Sequence, residues 1–140
     1  MFCYQRKVHY YETDKMGIVH HSNYVRWFEE ARLELLEAID FPYKKMELMG
    51  VLIPVLGVNC EFIHYMTFGD EFLIQCKVDE FNGVKFHISY EVYRASDMLL
   101  CARGKSLHTF ISKDMKVLRL RCDFPEIYKT FKNLLNEEKE

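Results

Sequence analysis

Apolar residues recur at helical spacing between Tyr24 and Ile39. Tyr24, Phe28, Ala31, Leu35 and Ile39 fall on one stripe, with Val25, Leu36 and Arg32 beside or opposite it. Glu29, Glu30, Arg32, Glu34 and Glu37 supply the wet face. The spacing predicts a helix opened by Ser22 or Asn23 as N-cap and running to about Ile39. Asp40 to Pro42 ends it, because the residue before a proline is disfavoured as helical. Tyr43 to Met49 adds a short helical turn before Gly50. Upstream, Arg6 to Glu12 reads as a strand, with Val8 and Tyr10 on one face.

Beyond Gly50 the period becomes that of strands. Val51 to Tyr65 is one long candidate, begun irregularly or bent at Pro54 and Gly57. Phe68-Gly69-Asp70 turns into a strand from Glu71 to Phe81. Asn82-Gly83 is a strong hairpin signal before a strand from Lys85 to Ala95. Ser96-Asp97 turns into a strand from Leu99 to Ser112, and Lys113-Asp114 turns again. Pro125 starts a C-terminal helix through Leu135. Strand, long helix, then an antiparallel meander describes an α+β domain with the helix packed across one sheet face.

Composition narrows the partners. The chain has 140 residues, enough for one domain with a core, and 49% are hydrophobic. The formal net charge is −2, with both signs mixed along the chain, so no basic tract marks a nucleic-acid binder. No apolar run approaches the roughly 20 residues needed to cross a bilayer. The N-terminus lacks the apolar segment of a signal peptide. Cys3, Cys60, Cys76, Cys101 and Cys122 are widely spaced and odd in number. They read as free thiols in a reducing cytoplasm rather than zinc ligands.

The chemistry concentrates in the run from Tyr10 to Tyr24, a strand-to-helix connection carrying Glu12, Asp14, Gly17, His20 and His21. Gly17 can take the positive φ of a turn without steric cost. Asp14 has two readings: an Asx turn that holds its own loop, or a carboxylate for acyl transfer. The second gains from the helix start that follows, whose free N–H groups polarise a carbonyl oxygen. Glu12 reads as a structural or rim residue. His20 and His21 are adjacent, so their side chains diverge, and no third ligand has suitable spacing for a metal. Tyr10, Tyr11, Tyr24, Trp27 and Phe28 line an acyl pocket or, more simply, fill the core. Arg103 and Lys105 meet a phosphate or lie on a solvated strand edge.

Tyr-x-Glu-Thr-Asp-x-x-Gly-Ile-Val-x-His-x-Asn-Tyr, followed by Trp-Phe-Glu-x-Ala-Arg, resembles the acyl-CoA thioesterases of the 4-hydroxybenzoyl-CoA thioesterase and YbgC type. The resemblance implies a hotdog fold over residues 1–140 as one domain: a long central helix wrapped by a five-stranded antiparallel sheet. It implies homodimers joined sheet edge to sheet edge, which often pair again into tetramers, with active sites at the subunit interface. Asp14 falls on the family's catalytic aspartate. His21 falls where a helix-start N–H polarises the thioester carbonyl. Gly17 matches the turn glycine, and Asn23 and Tyr24 match the helix start, toward the substrate. Glu12 stands where Asp is frequent and His20 where an aromatic is frequent. The implied substrate is an acyl-CoA or acyl-carrier-protein thioester, with no metal or cofactor required and the CoA nucleotide on surface basic residues. An acyl-binding module without turnover and a hotdog dehydratase are the alternatives.

Overall fold

The computed structural model describes residues 2–139. Five strands form one antiparallel sheet: β1 (Phe2–Lys7), β2 (Val55–Phe62), β3 (Glu71–Phe81), β4 (Lys85–Arg94) and β5 (Leu99–Thr109), in the order β1-β3-β4-β5-β2. Helix α1 (Ser22–Ala38) crosses one face. Around it stand α2 (Tyr43–Leu48), α3 (Leu120–Asp123) and α4 (Pro125–Lys139). This is the expected α+β arrangement, a long helix held against a five-stranded antiparallel sheet.

The alternation in β3 and β4 places the core. Phe72, Ile74, Cys76 and Val78 of β3 and Phe86, Ile88, Tyr90 and Val92 of β4 all face inward and are buried. They meet Tyr24, Trp27, Phe28, Ala31, Leu35 and Leu36 of α1. Removing that much aliphatic and aromatic surface from water is the main stabilising term. Phe28 stacks on Tyr90 with ring centroids 4.3 Å apart. Gly104 permits this: a Cβ there would sit 2.7 Å from the Phe28 ring and collide with the Asn59 carbonyl. At the far end, Phe81, Phe86, Phe110 and Phe131 join α4 to the sheet.

The N-terminal region departs from the sequence expectation. β1 begins at Phe2 and ends at Lys7, and Tyr10–Glu12 is a single 3-10 turn rather than the end of a strand. Val8 is buried and Tyr10 is exposed, so they do not share a face. The cause is local: the Glu12 carboxylate accepts from the His9 amide at 2.8 Å and closes the turn. The sequence expectation also omits α3 and stops α4 four residues early. β5 is not an edge strand, since β2 pairs along its outer side.

Candidate active site

Residues 13–19 form a tight hairpin between the 3-10 turn and α1. Thr13 bridges Val19, the Asp14 amide donates to Ile18 O at 2.8 Å, and the Gly17 amide donates to Asp14 O at 2.9 Å. Gly17 has φ +81°, the left-handed conformation expected of it. The hairpin is tied in turn to the segment after β2: Ile18 bridges Thr67, and the Val19 amide donates to Met66 O at 2.9 Å.

These ties bring the loop, the helix start and the end of β2 around one cleft of about 320 Å³. Asp14, His21 and Tyr24 line it together with Phe62 and His64. Met16, Ile18, Val19, Ile63 and Tyr65 complete its wall, in which polar and apolar surface are about equal. Asp14 makes the Asx turn, with the Met16 amide donating to Oδ1 at 2.8 Å, and also lines the cleft. Its Oδ2 meets no donor among the described residues. The two readings of Asp14 are therefore compatible, because the turn occupies only one oxygen.

Neither Ser22 nor Asn23 caps α1. The N-cap position is His21, with no side-chain cap. The Ser22 amide donates instead to His20 Nδ1 at 3.2 Å, the Asn23 amide to His20 O at 3.0 Å, and the Tyr24 amide to His21 O at 3.3 Å. The His21 amide itself meets no acceptor among the described residues. A helix start leaves such donors free, and they favour developing negative charge. The His21 ring stacks on His20 at 4.2 Å and meets the edge of Phe62 at 6.2 Å.

Asn23 and Gly17 do not reach the cleft. Asn23 is buried, and its Nδ2 donates to Glu12 O at 2.8 Å and His20 O at 3.3 Å. These two bonds tie the loop to the helix start. Tyr24 is mostly buried, and burial raises its phenol above the ordinary value, with the Cys101 and Cys60 thiols adding to the shift. Trp27 and Phe28 are core, whereas Tyr10 and Tyr11 lie exposed outside the cleft.

Glu12 is the buried counterpart of Asp14. It is 4% exposed, and its carboxylate accepts from His9 N at 2.8 Å and Trp27 Nε1 at 2.8 Å and pairs with Arg6 at 2.9 Å. A second polar chain lies under the middle of α1. Arg32 Nη1 donates to Tyr90 OH at 3.2 Å, Tyr90 OH meets Ser106 Oγ at 2.6 Å, and Ser106 Oγ meets His108 Nε2 at 2.6 Å. Arg32 can only donate, so the hydroxyl protons run toward His108 and leave its Nδ1 protonated, facing the Pro54 carbonyl without a full hydrogen bond. Burial lowers His108 to about 4, helped by the Arg32 charge.

A groove of about 440 Å³ on the outer sheet face contains Arg103 and Lys105. Arg103 pairs with Glu61 and Lys105 with Asp79, each at 2.9 Å. Six of its ten lining residues are charged, so it suits an acyl group less well than the cleft does. No group of three His, Cys, Asp or Glu side chains among the described residues could hold a metal ion. No helix among them is long and apolar enough to cross a membrane.

Sequence expectation named Asp14, His21 and Tyr24 but missed the opposite wall, Phe62 to Tyr65. That run carries a weak signal: aromatic and histidine side chains stay exposed at a strand end, with Phe62 53% and Tyr65 56% exposed. Nothing local places it beside Asp14.

The chain is similar to known proteins in both sequence and fold. Residues 8–131 match the thioesterase-like superfamily. The 1,4-dihydroxy-2-naphthoyl-CoA hydrolase of Trichodesmium erythraeum is 30% identical over 117 residues, covering 82% of this chain and 85% of that protein. A crystal structure of a hypothetical protein from Aquifex aeolicus superposes with a TM-score of 0.86 at 34% identity, covering 94% of this chain and 99% of that one. The DHNA-CoA thioesterase of Staphylococcus aureus superposes with a TM-score of 0.91 at 28% identity, covering 99% and 94%. Matched through sequence and fold alike, the chain belongs to the thioesterase-like superfamily and is a thioesterase-family hydrolase with the hotdog architecture.

Proposed function

We propose that this protein hydrolyses acyl-CoA or acyl-carrier-protein thioesters in the cleft between the Asp14 loop and the end of β2. One observation carries the reading: a carboxylate with one open oxygen and a helix-start amide with no acceptor border the same cleft, beside apolar side chains. The His21 N–H holds the carbonyl oxygen as negative charge develops. Asp14 attacks the carbonyl carbon or activates the water that does so. Tyr24 and the apolar wall receive the acyl group, and surface basic residues receive the CoA nucleotide. Gly17 and Asn23 hold the loop in shape, and each step uses only the chain's own groups and water. The names of relatives that act on CoA thioesters support this substrate class.

The working unit is a homodimer joined along β2, and dimers pair into tetramers. β2 ends the sheet order, and Val55, Leu56, Val58 and Phe62 are each 45–53% exposed along it. An apolar strand with an open edge is a surface that normally finds a cover. Sedimentation should show a dimer or tetramer, and a monomer at micromolar concentration would remove this part of the reading.

The decisive experiment follows thiol release from a panel of aryl and aliphatic acyl-CoAs. Asp14→Asn should lower kcat about 10²–10⁴-fold. Near-normal turnover by that variant would take Asp14 out of the reaction, and no turnover of any thioester by the native protein would leave only acyl binding.

A further inference from the structure

His64 lines the same cleft as Asp14. Its backbone is fixed, because the Ile63 and His64 amides both donate to Cys101 O, at 2.8 and 3.0 Å. Its ring stacks on Tyr65 with centroids 4.9 Å apart. Its Nδ1 lies 3.0 Å from the Tyr65 carbonyl oxygen. A carbonyl oxygen only accepts, so Nδ1 is the protonated nitrogen and the neutral ring keeps its lone pair on Nε2. Nε2 meets no partner among the described residues, and the side chain is exposed. The other cleft histidine lacks this arrangement: no hydrogen bond from the described residues fixes the tautomer of the His21 ring.

We propose that His64 Nε2 is the proton acceptor for the hydrolytic water and that Asp14 is consequently the nucleophile. The inference rests on the thioester-hydrolase reading above and divides its two tasks between two groups. In the first step the open oxygen of Asp14 bonds to the acyl carbon, the C–S bond breaks, and its electron pair leaves on sulfur as a thiolate. In the second, water adds to the acyl carbon while one of its protons passes to His64 Nε2. The bond from the acyl carbon to the Asp14 oxygen then breaks and restores the carboxylate. His64 hands its proton to the thiolate, and the freed acid ionises into solvent. A base that is not also the nucleophile lets the second step proceed while Asp14 is held in a mixed anhydride, when its own carboxylate has no charge to offer.

The test compares native protein, His64→Gln and Asp14→Asn, mixed rapidly with an acyl-CoA that the native protein hydrolyses. Glutamine keeps the size and polarity of the ring but takes no proton. His64→Gln should lower steady-state kcat about 10²-fold. It should also release a burst of one thiol per site and show an intact-protein mass raised by the acyl group, mapped to the Asp14 peptide. Its unfolding temperature should match the native value, since the side chain is exposed. Native turnover by His64→Gln, or slowed turnover with neither burst nor adduct, would overturn the inference. Full activity in Asp14→Asn would also overturn it, since Asp14 would then not be the nucleophile. Failure of the native protein to release thiol from any acyl-CoA would instead sink the hydrolase reading, so the two failures are told apart.

Discussion

Glu12 and Asp14 are carboxylates separated by one residue, yet they sit in opposite environments. Glu12 is buried, and three donors from β1, its own turn and α1 surround it. Asp14 has one donor and borders a cleft. The histidines divide the same way: His108 is sealed in a chain of hydroxyls under α1, whereas His64 keeps one nitrogen open at the cleft wall. The contrast teaches that residue type does not mark a reactive group here. An unfilled hydrogen-bonding valence facing accessible space does, because a saturated buried group has no capacity left for a substrate.

The contrast can be broken at its buried side first. Glu12→Ala should cost about 3–5 kcal/mol of folding stability, because it leaves Arg6 and the Trp27 N–H without their buried acceptor. Denaturant titration measures this. A loss below about 1 kcal/mol would mean that the anchor is ornamental.

The open side is sharpened by separating backbone from ring at His21. His21→Pro deletes the free N–H and suits the observed φ of −55°. It should lower kcat about 10²–10³-fold, as the loss of an oxyanion donor does. His21→Ala, which keeps the amide, should stay much closer to the native rate. Equal losses in the two variants would shift the role to the imidazole.

The sealed histidine gives a pH signature. The folded state lowers His108 to about 4 from an ordinary value near 6.5, so the folded protein binds fewer protons between these limits. Its contribution is complete above pH 6.5 and is lost as pH falls toward 4, about 3 kcal/mol in all. His108→Phe should flatten that part of the stability–pH curve. The smallest effect belongs to Tyr24→Phe. Its hydroxyl has no hydrogen-bond partner among the described residues, so stability should hold while KM rises a few-fold, as expected for one neutral hydrogen bond to substrate.

Much of this was legible from local pattern. β3 spans Glu71–Phe81 as predicted, because Gly69-Asp70 and Asn82-Gly83 punctuate a clean alternation. α1 spans Ser22–Ala38, since a broad apolar stripe and a proline stop leave little freedom. The Tyr10–Glu12 turn escaped notice because its cause is one carboxylate reaching back to the His9 amide, a contact that β-strand periodicity hides. The N-cap was misplaced because His20, rather than a hydroxyl or an amide side chain, receives the first free amides.

The amino-acid order by itself determined the helix, the meander, the turn at Gly17 and the presence of Asp14 ahead of a helix start. All of these depend on propensity and spacing within a few residues. Only the tertiary structure decided which carboxylate is sealed and which is open, and that His64 lines the same cleft as Asp14. Those outcomes depend on pairings such as Ile18 with Thr67 and Val19 with Met66, whose partners lie nearly fifty residues apart. Such pairings form only when the sheet closes around α1 and burial decides which polar valences are filled.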